Sequence, residues 1–206
     1  DAFVSPKYAS LDEMPAGAVV GTASLRRELM VRINYPHLDV RPIRGNVGTR
    51  LRKLDEGEYD ALVMASAGLK RLELSERIRS IIPAEKSLPS PGQGALGVEI
   101  RKGDKVLEES LAFLNDPHTR ACCTAERAVS RALGGSCQVP LAAYAVVEGE
   151  EMWLRALVGN HHTGECVRAE ARGSWTDPEA LAATVLEDLR RQGAEKILAD
   201  VLGRQD

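Results

Sequence analysis

Eight residues near the middle of the chain, Ser87-Leu88-Pro89-Ser90-Pro91-Gly92-Gln93-Gly94, constrain the fold more than any other stretch. Two prolines and two glycines in that span interrupt any helix or central strand, because proline lacks an N–H and glycine takes positive φ freely. The break separates two patterns of different rhythm. Before it, strand and helix signals alternate; after it, strands follow one another through short turns.

In the first pattern, Ala18 to Gly21 reads as a short strand, and Ser24 suits the N-cap of a helix running through Ile33. Asp39 to Ile43 is a second strand, with Pro42 arguing against a central place in the sheet. Asn46 opens a helix to about Glu56, Ala61 to Ala65 is a continuously apolar third strand, and Gly68 to Leu72 starts another helical turn. Strands separated by helices in this way predict βαβ units and a parallel or mixed sheet.

Beyond the break, Ala95 to Ile100 reads as a strand and Lys105 to Leu114 as a helix. Asp116 and Pro117 suit the N-cap and first position of another helix, which carries Ala121, Ala125, Ala128, Val129 and Ala132 on one face. Leu141 to Val147, Met152 to Val158 and Cys166 to Ala171 are three strands joined at Gly149 and at Asn160 to Gly164, hence antiparallel. A long amphipathic pattern from Asp177-Pro178 to about Leu202, interrupted at Gly193, closes the chain. The fold class is α/β. The expected organisation is an α/β domain over residues 1–88, a crossing segment over 89–114, and a C-terminal α+β domain over 115–206 with a three-stranded antiparallel sheet.

Composition narrows the function. The 206 residues are 44% hydrophobic and 28% charged with a net charge of -3, so nothing global points to nucleic acid. No apolar run approaches the roughly 20 residues needed to span a bilayer. The chain starts at Asp1 rather than methionine, which suggests a fragment or processed product. Its four cysteines are too sparse for a disulfide framework and read as reduced thiols of a cytoplasmic protein.

Arginine placement is more telling. Gly21-Thr22-Ala23-Ser24-Leu25-Arg26-Arg27, Arg44-Gly45-Asn46-Val47-Gly48-Thr49-Arg50 and Lys70-Arg71 each follow a strand. In open parallel sheets ligands bind beyond the carboxyl ends of strands, where helix N-termini offer N–H groups and a positive dipole end. Guanidinium groups add bidentate pairing to carboxylate or phosphate. These loops either converge on a multivalent anion site or lie on solvated helix faces. Gly45-Asn46-Val47-Gly48 lacks the Walker spacing, and Gly92-Gln93-Gly94 reads as a flexible hinge. His161, His162, Glu165 and Cys166 match no common metal spacing and read as a surface turn, so no metal is expected. Cys122 and Cys123 fill a helix core, and Trp153 and Trp175 read as packing. Cys137 stands between a helix ending at Gly134-Gly135 and a strand beginning at Val139. There its thiol is either presented outward or inert.

Five runs together resemble the porphobilinogen deaminase (hydroxymethylbilane synthase) family: Val20 to Arg27, Arg44 to Leu51, Ala67 to Leu72, Pro91 to Ala95, and Gly134 to Pro140. They cover essentially the whole chain, in order. The resemblance implies a tetrapyrrole-pathway (haem biosynthesis) transferase that joins four porphobilinogen units head to tail, releases ammonia, and frees hydroxymethylbilane by hydrolysis. It implies a dipyrromethane cofactor held by a thioether to Cys137. Ser24, Arg26, Arg27, Arg44, Gly45 and Arg50 are implied to bind that cofactor, and Arg71 and Gln93 to serve the substrate. The fit is physical as well: each pyrrole unit brings two carboxylates, and a tether keeps every addition effectively intramolecular. Loss of ammonia leaves an electrophilic azafulvene, whose positive charge a carboxylate stabilises.

Family members carry a long portion before the position of Asp1, which holds the catalytic aspartate. Asp12, Asp39 and Asp55 match no catalytic motif, so no catalytic residue is assigned and the chain alone is expected to turn over poorly. Residues 89–114 are then a remnant of the family's first domain, 1–88 its second and 115–206 its third. The parent protein is expected to be a monomer, while apolar side chains of residues 95–114 could drive self-association of this chain. The first domain's layout also resembles periplasmic-type binding proteins, so a non-enzymatic small-anion-binding module is the alternative.

Overall fold

The computed structural model describes residues 1–135 and 139–203. Two sheets organise them. The first is formed by β1 (Ala2–Val4), β2 (Val19–Thr22), β3 (Asp39–Pro42), β4 (Ala61–Met64) and β5 (Ser80–Ile81), in the order β3-β2-β4-β1-β5. Between its strands run α1 (Leu25–Asn34), α2 (Val47–Asp55) and α3 (Ser66–Arg71). β2 pairs parallel with β3 and β4, whereas β1 pairs antiparallel with β4 and β5. The sheet is therefore mixed, and β1 and β5 are absent from the sequence reading. β3 is one of the two edge strands, as Pro42 requires, since its missing N–H costs nothing there.

Local chemistry sets the helix starts. The Ser24 hydroxyl accepts from the Arg27 N–H at 3.5 Å, and the Asn46 side chain accepts from Thr49 N–H at 2.8 Å. Gly21 is needed where β2 passes β4: a Cβ there would lie 2.7 Å from Leu62 and 2.8 Å from the Tyr59 ring.

The C-terminal lobe is a meander of β6 (Leu141–Glu148), β7 (Glu151–Gly159) and β8 (Cys166–Ser174), antiparallel in register Ala145↔Leu154↔Ala171. Gly149, alone positive in φ at 65° in its two-residue turn, suits a type II′ hairpin. One face of the sheet, with Ala143, Ala145, Leu154 and Ala156, packs on α5 (Pro117–Ala132), α6 (Pro178–Arg191) and α7 (Ala194–Leu202). Ala121, Ala125 and Val129 give α5 a narrow apolar stripe for close approach. Asp116 and Asp177 cap α5 and α6, each followed by proline at the first helical position. Gly193, at φ 94°, divides α6 from α7.

The other face of that sheet meets the first lobe. Leu29 and Met30 of α1 pack on Ala142 and Leu157, all buried. Arg155 reaches Glu85 at 2.8 Å and lies over the Trp153 ring, 4.0 Å from its centroid, while Arg172 stands 4.5 Å from the same centroid.

Between the lobes, residues 95–104 contain no strand, contrary to the reading of Ala95 to Ile100: the apolar residues are present but no partner strand is. α4 (Lys105–Leu111) and a 3-10 turn (Ala112–Leu114) follow. Leu96, Val98, Val106 and Phe113 of this segment are 64–81% exposed.

Candidate functional site

Because β2, β3 and β4 are parallel, their carboxyl ends share one edge of the sheet. Arg26 and Arg27 leave that edge in the first turn of α1, Arg44 and Gly45 belong to the connection from β3 into α2, and Arg50 stands in the first turn of α2. Arg71 does not sit at a strand end. It closes α3, five residues after Ser66, about 7.5 Å of helix rise beyond the start.

The structure brings Arg26, Arg27 and Gln93 together around the carboxylate of Asp1. Arg26 Nη2 donates to Asp1 Oδ2 at 2.9 Å and Oδ1 at 3.1 Å, and Arg27 Nε donates to Oδ1 at 3.0 Å. Gln93 Nε2 donates to Oδ1 at 2.9 Å, and Ser87 Oγ to Oδ2 at 2.7 Å. The Gln93 carbonyl oxygen in turn accepts from Arg26 at 3.3 Å and Arg27 at 3.2 Å. Arg26 Nε donates to Ser90 Oγ at 3.0 Å, and its Nη1 to Ser87 Oγ and the Leu88 carbonyl.

Every guanidinium nitrogen of Arg26 thus meets a protein acceptor, and its side chain is only 3% exposed. Here the structure departs from the sequence reading: Arg26 is not an open ligand donor but a buried fastener between α1 and the 87–93 segment. Burial and the neighbouring Arg27 push its pKa down to about 9; burial pushes Arg27 down to about 10. Both remain cations at neutral pH, as the carboxylate between them demands. Gly92-Gln93-Gly94 is accordingly a pinned turn, with φ of 70° at Gly92 and 86° at Gly94, rather than a loose hinge. It borders a cleft of about 470 Å³ shared with α5 and β6.

Arg44 is exposed, as is Arg71, and neither forms an ion pair among the described residues. Arg50 turns back, its Nε donating to the Gly45 carbonyl at 2.8 Å, so it shapes the loop. Gly45 itself, at φ 116°, has no room for a Cβ, which would lie 2.8 Å from Thr49.

Cys137, with Ser136 and Gln138, lies outside the described residues; Gly134, Gly135 and Val139 do not. Gly134 has φ 62°, and Gly135 N–H donates to Ser130 O at 2.7 Å, closing α5 as glycine there predicts. A Cβ on Gly135 would lie 2.9 Å from that carbonyl oxygen. After the thiol, β6 runs beside the crossing segment: Ala143 N–H donates to Pro89 O at 3.2 Å, one residue from Ser90, the partner of Arg26.

Other candidates resolve plainly. Cys122 and Cys123 are half-buried, and burial raises both thiols, Cys122 to about 11. His161 and His162 lie on the β7–β8 turn with rings 3.9 Å apart, and no group of three or more metal-ligating side chains occurs among the described residues. Among the described residues no helix is long and apolar enough to cross a membrane. Sequence reasoning missed Asp1, Ser87 and Ser90. The serines flanking Pro89 were a usable signal, being hydroxyls in an otherwise stiff segment; Asp1 offered none.

Two family models match. Residues 1–109 fit "Porphobilinogen deaminase, dipyromethane cofactor binding domain", and residues 120–191 fit "Porphobilinogen deaminase, C-terminal domain". Proteins named porphobilinogen deaminase are similar over nearly the whole chain: 55% identity in Bordetella parapertussis over 98% of it, 52% in Thiobacillus denitrificans over 96%, and 53% in Neisseria meningitidis over 100%. The chain spans 64%, 65% and 66% of those relatives' lengths. With one model alone covering more than half of its residues, the chain belongs to the porphobilinogen deaminase family.

Proposed function

We propose that the protein to which this chain belongs is a tetrapyrrole-pathway transferase that joins four porphobilinogen units, releasing ammonia at each step and hydroxymethylbilane at the end. One observation carries the reading. Residues 1–109 match the family's cofactor binding domain, and the exposed Arg44 lies just beyond the carboxyl end of β3, where an acetate or propionate arm can be paired.

Cys137 is the covalent anchor of the dipyrromethane cofactor, which supplies the fixed end from which the product grows. Exposed Arg44 and Arg71 and the outer edge of Arg27 offer charge to its carboxylates. Ser24, Gly45 and Arg50 set the shape of the two loops, and Arg26 and Gln93 hold the network that orients Arg27. The hydrogen bond from β6 to Pro89 supports a short path between the thiol loop and these cations.

The chain divides into units 1–88, 89–114 and 115–206, the first of them periplasmic-binding-protein-like, and the parent protein is a cytoplasmic monomer. This chain alone turns over poorly, because none of its aspartates matches the family's catalytic one.

Intact mass of freshly purified protein is the test. A dipyrromethane adduct, lost in Cys137→Ser, is the expected result. Tight reversible binding of a small anion with no adduct would overturn the transferase reading in favour of a non-enzymatic anion-binding module. Robust hydroxymethylbilane release from porphobilinogen by this chain would refute its catalytic incompleteness.

A further inference from the structure

Glu126 is a carboxylate with only 5% of its residue surface exposed, in the middle of α5, and no ion pair serves it among the described residues. Burying a charge there is costly unless hydrogen bonds replace water. They do: its Oε2 accepts from the Gly92 N–H at 2.6 Å and its Oε1 from the Ala145 N–H at 2.8 Å. One side chain of the C-terminal lobe therefore holds both the central strand-forming residue of β6 and the first glycine of the 92–94 turn.

The turn's geometry makes that grip consequential. Gly92 is at φ 70°, and the next residue is Gln93, whose carboxamide spans Asp1, Arg26 and Arg27. A backbone turn with glycine on both sides of Gln93 has little stiffness of its own. Within it, Gln93 N–H donates to Ser90 O at 3.0 Å and Ala95 N–H to Gly92 O at 3.1 Å, both local bonds that do not tie the turn to the lobe behind it.

We propose that Glu126 is a positioning residue for the anion site: by fixing Gly92 from behind, it seats Gln93 between Arg26 and Arg27 and so sets how Arg27 faces a ligand carboxylate. It touches no ligand itself. The assignment of a carboxylate ligand rests on the reading of the site given above; the seating of Gln93 does not.

Glu126→Gln keeps the shape but replaces one acceptor with an NH₂ group, leaving either Gly92 or Ala145 without a partner. In ¹⁵N-labelled protein without ligand, exchange of the Gln93 side-chain amide protons should quicken by about tenfold in the variant, as for loss of one hydrogen bond. The Arg27 Nε–H resonance should shift with it. A folded Glu126→Gln protein with unchanged Gln93 exchange overturns the proposal.

Gln93→Ala supplies the second arm. It should shift Arg27 alike, leave the Gly92 amide as protected as in the parent chain, and make the Glu126→Gln change silent at Arg27 in the double variant. Loss of Gly92 protection in Gln93→Ala alone would mean that Gln93 holds the turn, which also overturns the proposal. Titration with porphobilinogen is a separate readout. If the parent chain fails to bind it while the exchange results hold, the carboxylate-ligand reading falls and the positioning role stands.

Discussion

Residues 87–94 and 95–114 are consecutive in the chain and opposite in environment. The first stretch is knitted to both lobes by side chains from α1, α5 and the N-terminal residue, with Ser87, Ser90, Gly92 and Gln93 all taken up. The second leaves Leu96, Val98, Val106 and Phe113 in solvent. Apolar content is higher in the second stretch, yet the first is the one whose position is specified. What decides is whether each polar group has one partner geometry available, because an unpaired buried group is expensive and leaves few alternatives. Apolar side chains with nothing to pack on specify nothing.

The largest expected effect breaks the knitted half. Arg26→Ala leaves the Asp1 carboxylate buried with only Arg27 as counter-charge, and should lower unfolding free energy by about 3 kcal/mol, the low end for a broken buried pair. Urea denaturation measures it. A loss under about 1 kcal/mol, the range of exposed pairs, would erase the contrast between the two stretches.

A smaller, pH-dependent effect sharpens it. Burial raises the Glu126 pKa above the ordinary carboxylate range, against the pull of the Gly92 and Ala145 N–H groups. The folded chain therefore keeps this proton to higher pH than the unfolded chain does. Stability from this group is present below the ordinary glutamate range and is lost as pH rises through the raised value. Glu126→Gln cannot titrate, so the variant's stability relative to the parent should climb across that interval and level off above it. A flat difference from acid to neutral pH would show that the carboxylate is not held in the environment described.

The smallest change belongs to the loose half. Replacing Leu96, Val98 and Phe113 together by serine should alter stability by no more than about 0.5 kcal/mol per site, as for surface positions. The same change should reduce any self-association seen by sedimentation velocity. A large loss of stability would mean that these side chains are packed after all.

What could be read from the residues alone divides along the same line. Caps and breaks were legible because their chemistry is local: Ser24, Asn46, Asp116-Pro117, Asp177-Pro178 and Gly193 all act within a few positions. The three strands of the C-terminal meander were legible from the turn signals at Gly149 and at Asn160 to Gly164 that separate them. β1 and β5 were not, since a strand of three residues and one of two exist only through pairings such as Ala2↔Met64 and Ala2↔Ile81. Ala95 to Ile100 failed in the opposite sense, a strand-like composition with no neighbour to pair. At the site, the arginine loops stood out by their place after strands. The burial of Arg26 and Arg27 could not, because it depends on Asp1 and Gln93, partners 92 positions apart.

Trp153 is one of only two tryptophans in the chain, and its ring is within 4.5 Å of the guanidinium groups of both Arg155 and Arg172. Arg155 is the same group that reaches across to Glu85 of the first lobe. Any motion that parts the lobes must first release that arginine and so alter the electric field on the indole. The molecule carries its own optical gauge: the emission wavelength of Trp153, separable from Trp175 by a Trp175→Phe background, reports lobe separation without an added dye.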